Sequence, residues 1–552
     1  MLSLNGNITY RGLELKKNDI VEKYQMTGYK KLLKKFVIRY KSPIGTFYIE
    51  KKNYTVKDNT LILPRFASED LRKCNIINNI SNCILDGNNI NFLYIGEPTY
   101  NQQIVIDYIF NNIYTESNKT KGLCGLTLNM LAGGGKTFCA MNIINKLKLK
   151  TLIIVPNTYL LNQWVELLSK FFPNNKIGQY YGKKKEDGDI IVSIINSLVN
   201  DEYIFDEVII SDIICDNIKC NNIAKYNFED ESKPIYCTKH KCKNMIKIRN
   251  QKVTKNYIEF FKEFGFVILD ESHIYCTDSF KIVYTRFQST YMLGLSATPD
   301  ERNNKCDIIS HLNIGKVLKA DEIEDYKKDD TKFNASVTLL RYNGPDEYVN
   351  THINETTKMI CVPKIIEDIV NDPYRNQLII DQLIDLFNLK LNIFVFSERR
   401  SHLEHLYELF NTTIKKNNDN ADNNNIESNL SIPELNINNN IVLYGNSSDD
   451  DIDTAKNNSN IIFTTYAYSS TGVSINRMTA LLLATSRKSK GTQIIGRIFR
   501  LDDSLNHIHR YIIDIIDNKS VLKNQVYERM KAYKDRDCII QKKEINYDEI
   551  NL

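Results

Sequence analysis

The sequence predicts an α/β protein: two parallel-sheet units in tandem behind a small β-rich N-terminal unit. Three observations carry this expectation. At 552 residues the chain exceeds what one hydrophobic core usually holds, and about three or four units is the ordinary partition. Apolar, strand-like runs alternate with amphipathic helical stretches in two separate regions, the pattern of helices covering a parallel sheet. The first 95 residues lack that alternation and read as short strands divided by turns.

Within residues 1–95, FVIRY and TFYIE are strand-like, KKNYTVKDNT is turn-prone and LILPRF closes the unit. Residues 96–320 form the first α/β unit, with TLNML, AGGGKT, FCAMNIINKL, KTLIIVP and the apolar-periodic LLNQWVELLSKFF in succession. A polar stretch with four cysteines, 211–251, interrupts it as an insertion that needs its own source of stability. Residues 321–365 read as a linker and 366–552 as the second unit, where NIFVF suits a buried strand. RSHLEHLYELF then places Leu403, Leu406, Leu409 and Phe410 on one helical face. Residues 411–440 are asparagine-rich and too poor in apolar groups to fold alone, so a surface loop is expected.

Hydrophobic residues at 42% and charged residues at 25% exclude a wholly disordered or fibrous chain. A net charge of +5, from 72 basic and 67 acidic residues, is too mild to announce nucleic acid by itself. The opening MLSLNGNITYRGLELKK has no apolar core, and the 12 cysteines form no small-domain framework. A soluble, intracellular and reducing setting is therefore expected. Apolar runs such as Leu481 to Ala484 are far shorter than the roughly 20 residues of a membrane span, so no membrane partner is expected.

Between a predicted strand and a predicted helix, LAGGGKT sets Gly133, Gly134, Gly135, Lys136 and Thr137 where a phosphate-binding loop needs them. Glycines let backbone N–H groups turn toward phosphates, a lysine neutralises β/γ-phosphate charge, and a threonine hydroxyl can ligate Mg²⁺. Met130 stands where the usual first glycine would be, and a GGGK loop can also be a plain glycine turn. FVILDESH ends an apolar run in two carboxylates. Hydrolysis needs one for the metal, Asp270, and one for the attacking water, Glu271, although such a pair can equally be a solvated turn.

LAGGGKT, DESH, LGLSATP at Leu293 to Pro299 and QIIGRIFR at Gln493 to Arg500 occur in an order that resembles the superfamily 2 helicases over most of residues 96–515. VPNTYLLNQW at Val155 to Trp164, SATPDER with Arg302, and IGKVL at Ile314 to Leu318 look like the XPB and phage UvsW branch. LLLATSRKSKGTQIIGRIFR, RYIIDIID and LKNQVYERMKAY are similar to helicases of nucleocytoplasmic large DNA viruses, including the poxvirus transcript-release type. The resemblance implies two RecA-like domains with one ATP site between them. It implies Arg497 and Arg500 as arginine fingers from the second domain, Gln493 on the nucleotide or attacking water, and Gln102 on the adenine edge, with Gln103 as the adjacent alternative. His273, Ser296 and Thr298 would couple nucleotide state to domain closure. SSTGVSINRM at Ser469 to Met478 departs from the usual EGxD, with Thr471 and Ser474 replacing carboxylates while Gly472 is kept.

The cysteines Cys215, Cys220, Cys237 and Cys242 read C-x4-C, sixteen residues, C-x4-C. Paired thiolates can hold a structural Zn²⁺ and staple a polar insertion. The commoner knuckle is C-x2-C, His240 is an alternative ligand, and free surface thiols are the plain alternative. Trp164 fits a helix packing pattern and is expected in the core.

The function implied is an ATP- and Mg²⁺-dependent DNA helicase or translocase of 3′-to-5′ polarity serving viral transcription or replication. Its partners would be single- or double-stranded DNA, with RNA or a DNA–RNA hybrid as the alternative, and a viral RNA polymerase. Host cytoplasm, the viral factory and the virion are the places so implied. A double-strand translocase without strand separation and a non-catalytic nucleic-acid- or polymerase-binding module are the rival readings.

Overall fold

The computed structural model of the chain describes residues 4–41, 47–130, 134–199, 202–215, 223–225, 246–277, 280, 283–286, 289–297, 299, 306–327, 334–355, 359–423, 440–444, 447–469, 475, 477–487, 491–499 and 507–552. Two large sheets dominate. The first has eight strands, and its central parallel neighbours run Ile177–Tyr181, Ile190–Ile194, Thr151–Val155, Phe266–Asp270, Tyr291–Ser296, Gly125–Asn129 and Lys316–Lys319. The second has seven, all paired in parallel: Asn440–Leu443, Ile461–Thr465, Ile393–Ser397, Ala480–Leu483, Arg510–Asp517, Ala335–Asn343 and Ile539–Asn546.

Both sheets are buried on two faces, which is why their strands are near-continuous apolar runs rather than alternating ones. In Thr151–Val155, Ile153 and Val155 enter one core while Leu152 and Ile154 enter the other. In Ile393–Ser397 the same period of two sends Phe394 and Phe396 to one side and Ile393 and Val395 to the other. The helix Thr158–Phe171 starts at Asn157, whose side chain accepts from Leu160 N at 2.9 Å. It lays Leu160, Leu161, Trp164 and Leu168 into the first core.

The N-terminal region holds the expected strands, with Val37–Lys41 paired to Tyr48–Lys52 and a five-stranded sheet around Asn5–Thr9 and Gly12–Lys16. It also contains a helix the sequence reading missed, Lys17–Lys35, interrupted at Gln25 by a φ of 58°. Arg65, buried to 5% exposure, ties this region to the first sheet unit. Its guanidinium donates to the carbonyls of Gly122, Ser289 and Thr290 at 2.6, 2.7 and 2.8 Å. Three carbonyls take up the buried charge, and burial pulls its pKa down to about 10.

Two expectations need correction. Residues 321–365 are not simply a linker, because Ala335–Asn343 is an inner strand of the second sheet, its Val337 and Leu339 in one core and Leu340 and Tyr342 in the other. The asparagine-rich stretch begins as helix: Arg400–Asn423 continues past Phe410, so only residues 424–439 of the expected loop lie outside the described residues. Paired antiparallel strands, Glu202–Cys215 and Ile246–Asn256, run into the cysteine-bearing insertion at its two ends. Among the described residues no helix is long and apolar enough to cross a membrane.

Candidate nucleotide site

Strand Gly125–Asn129 runs into the glycine loop, and the helix Lys136–Leu147 leaves it. Gly135 precedes that helix at φ 83° and ψ 30°, a left-handed conformation that glycine adopts without strain. Met130, in place of a glycine, is accommodated because its side chain is buried in the first core, 4.0 Å from the Cys139 sulfur, and stays out of the loop. Its carbonyl accepts from Lys136 Nζ at 3.0 Å. Gly134 and Thr137 are half-buried, whereas Gly133 lies outside the described residues.

Gln102 reaches this loop from the helix Tyr100–Asn112. A capping box fixes it, since Thr99 Oγ1 accepts from Gln102 N and Gln102 Oε1 accepts from Thr99 N at 3.0 Å. The amide nitrogen then lies where a side chain at residue 135 would begin. Gln103 instead donates to Asp107 Oδ2 on the exposed face, so of the two glutamines it is Gln102 that faces the loop.

The carboxylate pair closes strand Phe266–Asp270. Asp270 Oδ1 accepts from Glu271 N at 2.9 Å and Oδ2 accepts from the Trp164 indole at 2.8 Å. Burial and then the neighbouring Glu271 charge push the Asp270 carboxyl up to about 6, with Trp164 and Lys136 opposing that shift. Glu271 sits at φ 51°, which turns the chain into the short helix Ser272–Tyr275. His273 Nδ1 is 3.1 Å from Ser296 Oγ and 3.4 Å from Glu271 Oε2, so one imidazole touches the DESH and SAT motifs together. The adjacent Asp270 and Glu271 carboxylates, the first within the field of Lys136, are hard oxygen donors of the kind that fits Mg²⁺.

The structure thus brings together Gln102, Gly135, Lys136, Asp270, Glu271, His273 and Ser296 at the carboxyl edge of the first sheet. That edge is where parallel sheets carry their ligands. Arg497 lies in the short helix Gly496–Ile498 of the second sheet unit, 7% exposed. Gln493 falls in the helix Gly491–Ile495 with its side chain outside the described residues. Thr298, Arg302, Gly472, Arg500, Cys220, Cys237, Cys242 and the Cys215 side chain also lie outside them. The contact of Trp164 with this site is not announced by the sequence, because a buried indole N–H requires an acceptor but nothing in the sequence says which.

Residues 95–301 match the family described as "Type III restriction enzyme, res subunit". A protein of African swine fever virus, provisionally named ATP-dependent RNA helicase QP509L, is 27% identical over 474 residues, covering 82% of this chain and 76% of its own. The chain is thus similar to a viral helicase over four-fifths of its length. A second helicase relative, provisionally named ATP-dependent RNA helicase L396, comes from Acanthamoeba polyphaga mimivirus. It is 24% identical over 451 residues, covering 81% of this chain and 70% of its own. Among solved structures, T4 UvsW aligns over 99% of this chain and 100% of its own at 17% identity, with a TM-score of 0.34.

Proposed function

We propose that this helicase homologue is an ATP-driven motor on nucleic acid whose two sheet units close on one nucleotide. One observation carries the reading: loop, glutamine, lysine, carboxylate pair and the His273–Ser296 contact, far apart in sequence, converge at one sheet edge. Lys136 would leave the Met130 carbonyl for the β/γ-phosphates, and the amides around Gly135 would cradle them. Gln102 would face the base. Thr137 and Asp270 would hold Mg²⁺, which when bound screens the phosphate charge. Glu271 would take a proton from the attacking water, with its orientation set by His273. Arg497, Arg500 and Gln493 would complete the site when the second unit closes, and Thr298 and Gly472 would report that closure.

For the substrate, likeness to the XPB and UvsW branch supports duplex DNA and 3′-to-5′ movement in transcription or replication of a large DNA virus, beside a viral RNA polymerase. The names of the two viral relatives favour RNA as the second reading. Strand displacement from 3′- and 5′-tailed DNA, RNA and hybrid duplexes, run beside triplex displacement, tests this. Release from 3′-tailed DNA supports the first reading. Release from RNA alone selects the second, and triplex displacement without strand release selects a double-strand translocase. We extend the proposal to a structural Zn²⁺ on Cys215, Cys220, Cys237 and Cys242, supported by their spacing and decided by the metal content of protein purified without chelator.

A further inference from the structure

Trp164 makes a contact at the site that the hydrolysis itself does not use. Trp164, the chain's only tryptophan, is 2% exposed in the first core. Its Nε1–H donates to Asp270 Oδ2 at 2.8 Å. Packing alone does not call for this partner. A buried indole has one hydrogen to place, and a neutral backbone carbonyl would satisfy it. Here the acceptor is the carboxylate at the end of the nucleotide-site strand.

The consequence lies in the carboxylate. Oδ1 is held by the amide of Glu271 and Oδ2 by an indole from a different element, the helix Thr158–Phe171. Two donors on two oxygens fix both the plane and the rotation of the group, leaving one lone-pair direction on each oxygen for a cation or its water. We infer that Trp164 is a positioning residue that presets the Asp270 carboxylate for the metal. This rests on the reading of Asp270 as the metal carboxylate.

The same helix also meets the second sheet unit. Tyr159, in its first turn, is packed against the second unit's core, with Lys456 Nζ 5.9 Å from its ring, and Gln163 Nε2 donates to the Tyr159 hydroxyl at 3.0 Å. The element that carries Trp164 therefore also touches the second sheet unit.

Trp164→Phe in the full chain keeps an aromatic ring and removes the N–H. The Mg²⁺ concentration giving half-maximal binding of a fluorescent ATP analogue should rise about 10- to 100-fold, as when an outer-shell partner of a metal ligand is lost. Binding of the analogue without Mg²⁺ should be unchanged. The unaltered chain gives a second readout that does not depend on the variant folding: its lone tryptophan emission should change when Mg²⁺ is added to the ADP complex, and not in Asp270→Asn. An unchanged Mg²⁺ requirement in folded Trp164→Phe, or a tryptophan emission indifferent to Mg²⁺ with ADP bound, overturns the inference. If Lys136→Ala still hydrolyses ATP, the site reading itself fails. If Lys136→Ala is inactive and the Mg²⁺ requirement does not move, only the role of Trp164 fails.

Discussion

The side-chain amide of Gln102 lies against Gly135, in the position a Cβ of residue 135 would occupy, and Gly135 is held at φ 83°. Any side chain there meets both a strained backbone and the amide. Gly135→Ala should abolish binding of a fluorescent ATP analogue while far-ultraviolet circular dichroism stays that of the native chain. Native-like nucleotide affinity in this variant would mean the loop does not close around phosphate.

Lys136 and Glu271 should fail differently. Lys136→Ala removes the cation for the phosphates, so both binding and turnover are lost. Glu271→Gln keeps shape and hydrogen bonding but cannot take a proton, so ATP should still bind while turnover falls by about 10²-fold or more. Parallel binding and single-turnover measurements separate the two, and loss of binding in Glu271→Gln would contradict the assignment.

Arg497 belongs to the second sheet unit, so it can act on the nucleotide only across the cleft. Arg497→Ala should leave ATP affinity within a few-fold while lowering kcat by about 10³-fold or more, the range of an arginine finger. Because Arg497 is buried, thermal melting must accompany the kinetics. A variant that melts early yet keeps its specific activity would show a packing role instead.

His402 makes a pH prediction outside the site. Its ring is buried between Ser397 Oγ and Asn376 Oδ1, both at 2.9 Å. Burial, then the Arg375 and His405 charges, hold its pKa well below 6.5. The unfolded chain binds a proton near 6.5 and the folded chain does not. Stability is therefore complete above that pH and falls below it, by up to about 1.4 kcal/mol per pH unit. Urea midpoints at pH 7.5 and 5.5 should show this fall, and it should be reduced in His402→Gln.

Much of this was legible where one local rule governed. Val267, Ile268 and Leu269 announce a doubly buried strand, and the carboxylates that end it follow from the chemistry of the site. Ala335–Asn343 was not legible: it lies between polar segments, and only its partners Arg510–Asp517 and Ile539–Asn546, remote in sequence, make it a strand. The helix Lys17–Lys35 hid because its buried Ile20, Tyr29 and Leu32 straddle the break at Gln25, which spoils the helical period. The capping box of Thr99 and Gln102 could be read locally, whereas the Trp164–Asp270 bond joins residues 106 positions apart.

The most direct measurement is steady-state ATP hydrolysis by the full chain at fixed salt, without nucleic acid and with single-stranded DNA, duplex DNA or RNA. We expect slow turnover alone and stimulation of about tenfold or more by at least one of the three, because a polymer bound across both units favours the closed cleft. Turnover that is equally fast with and without every nucleic acid, and unaffected by Arg497→Ala, would contradict a motor whose two units share one site.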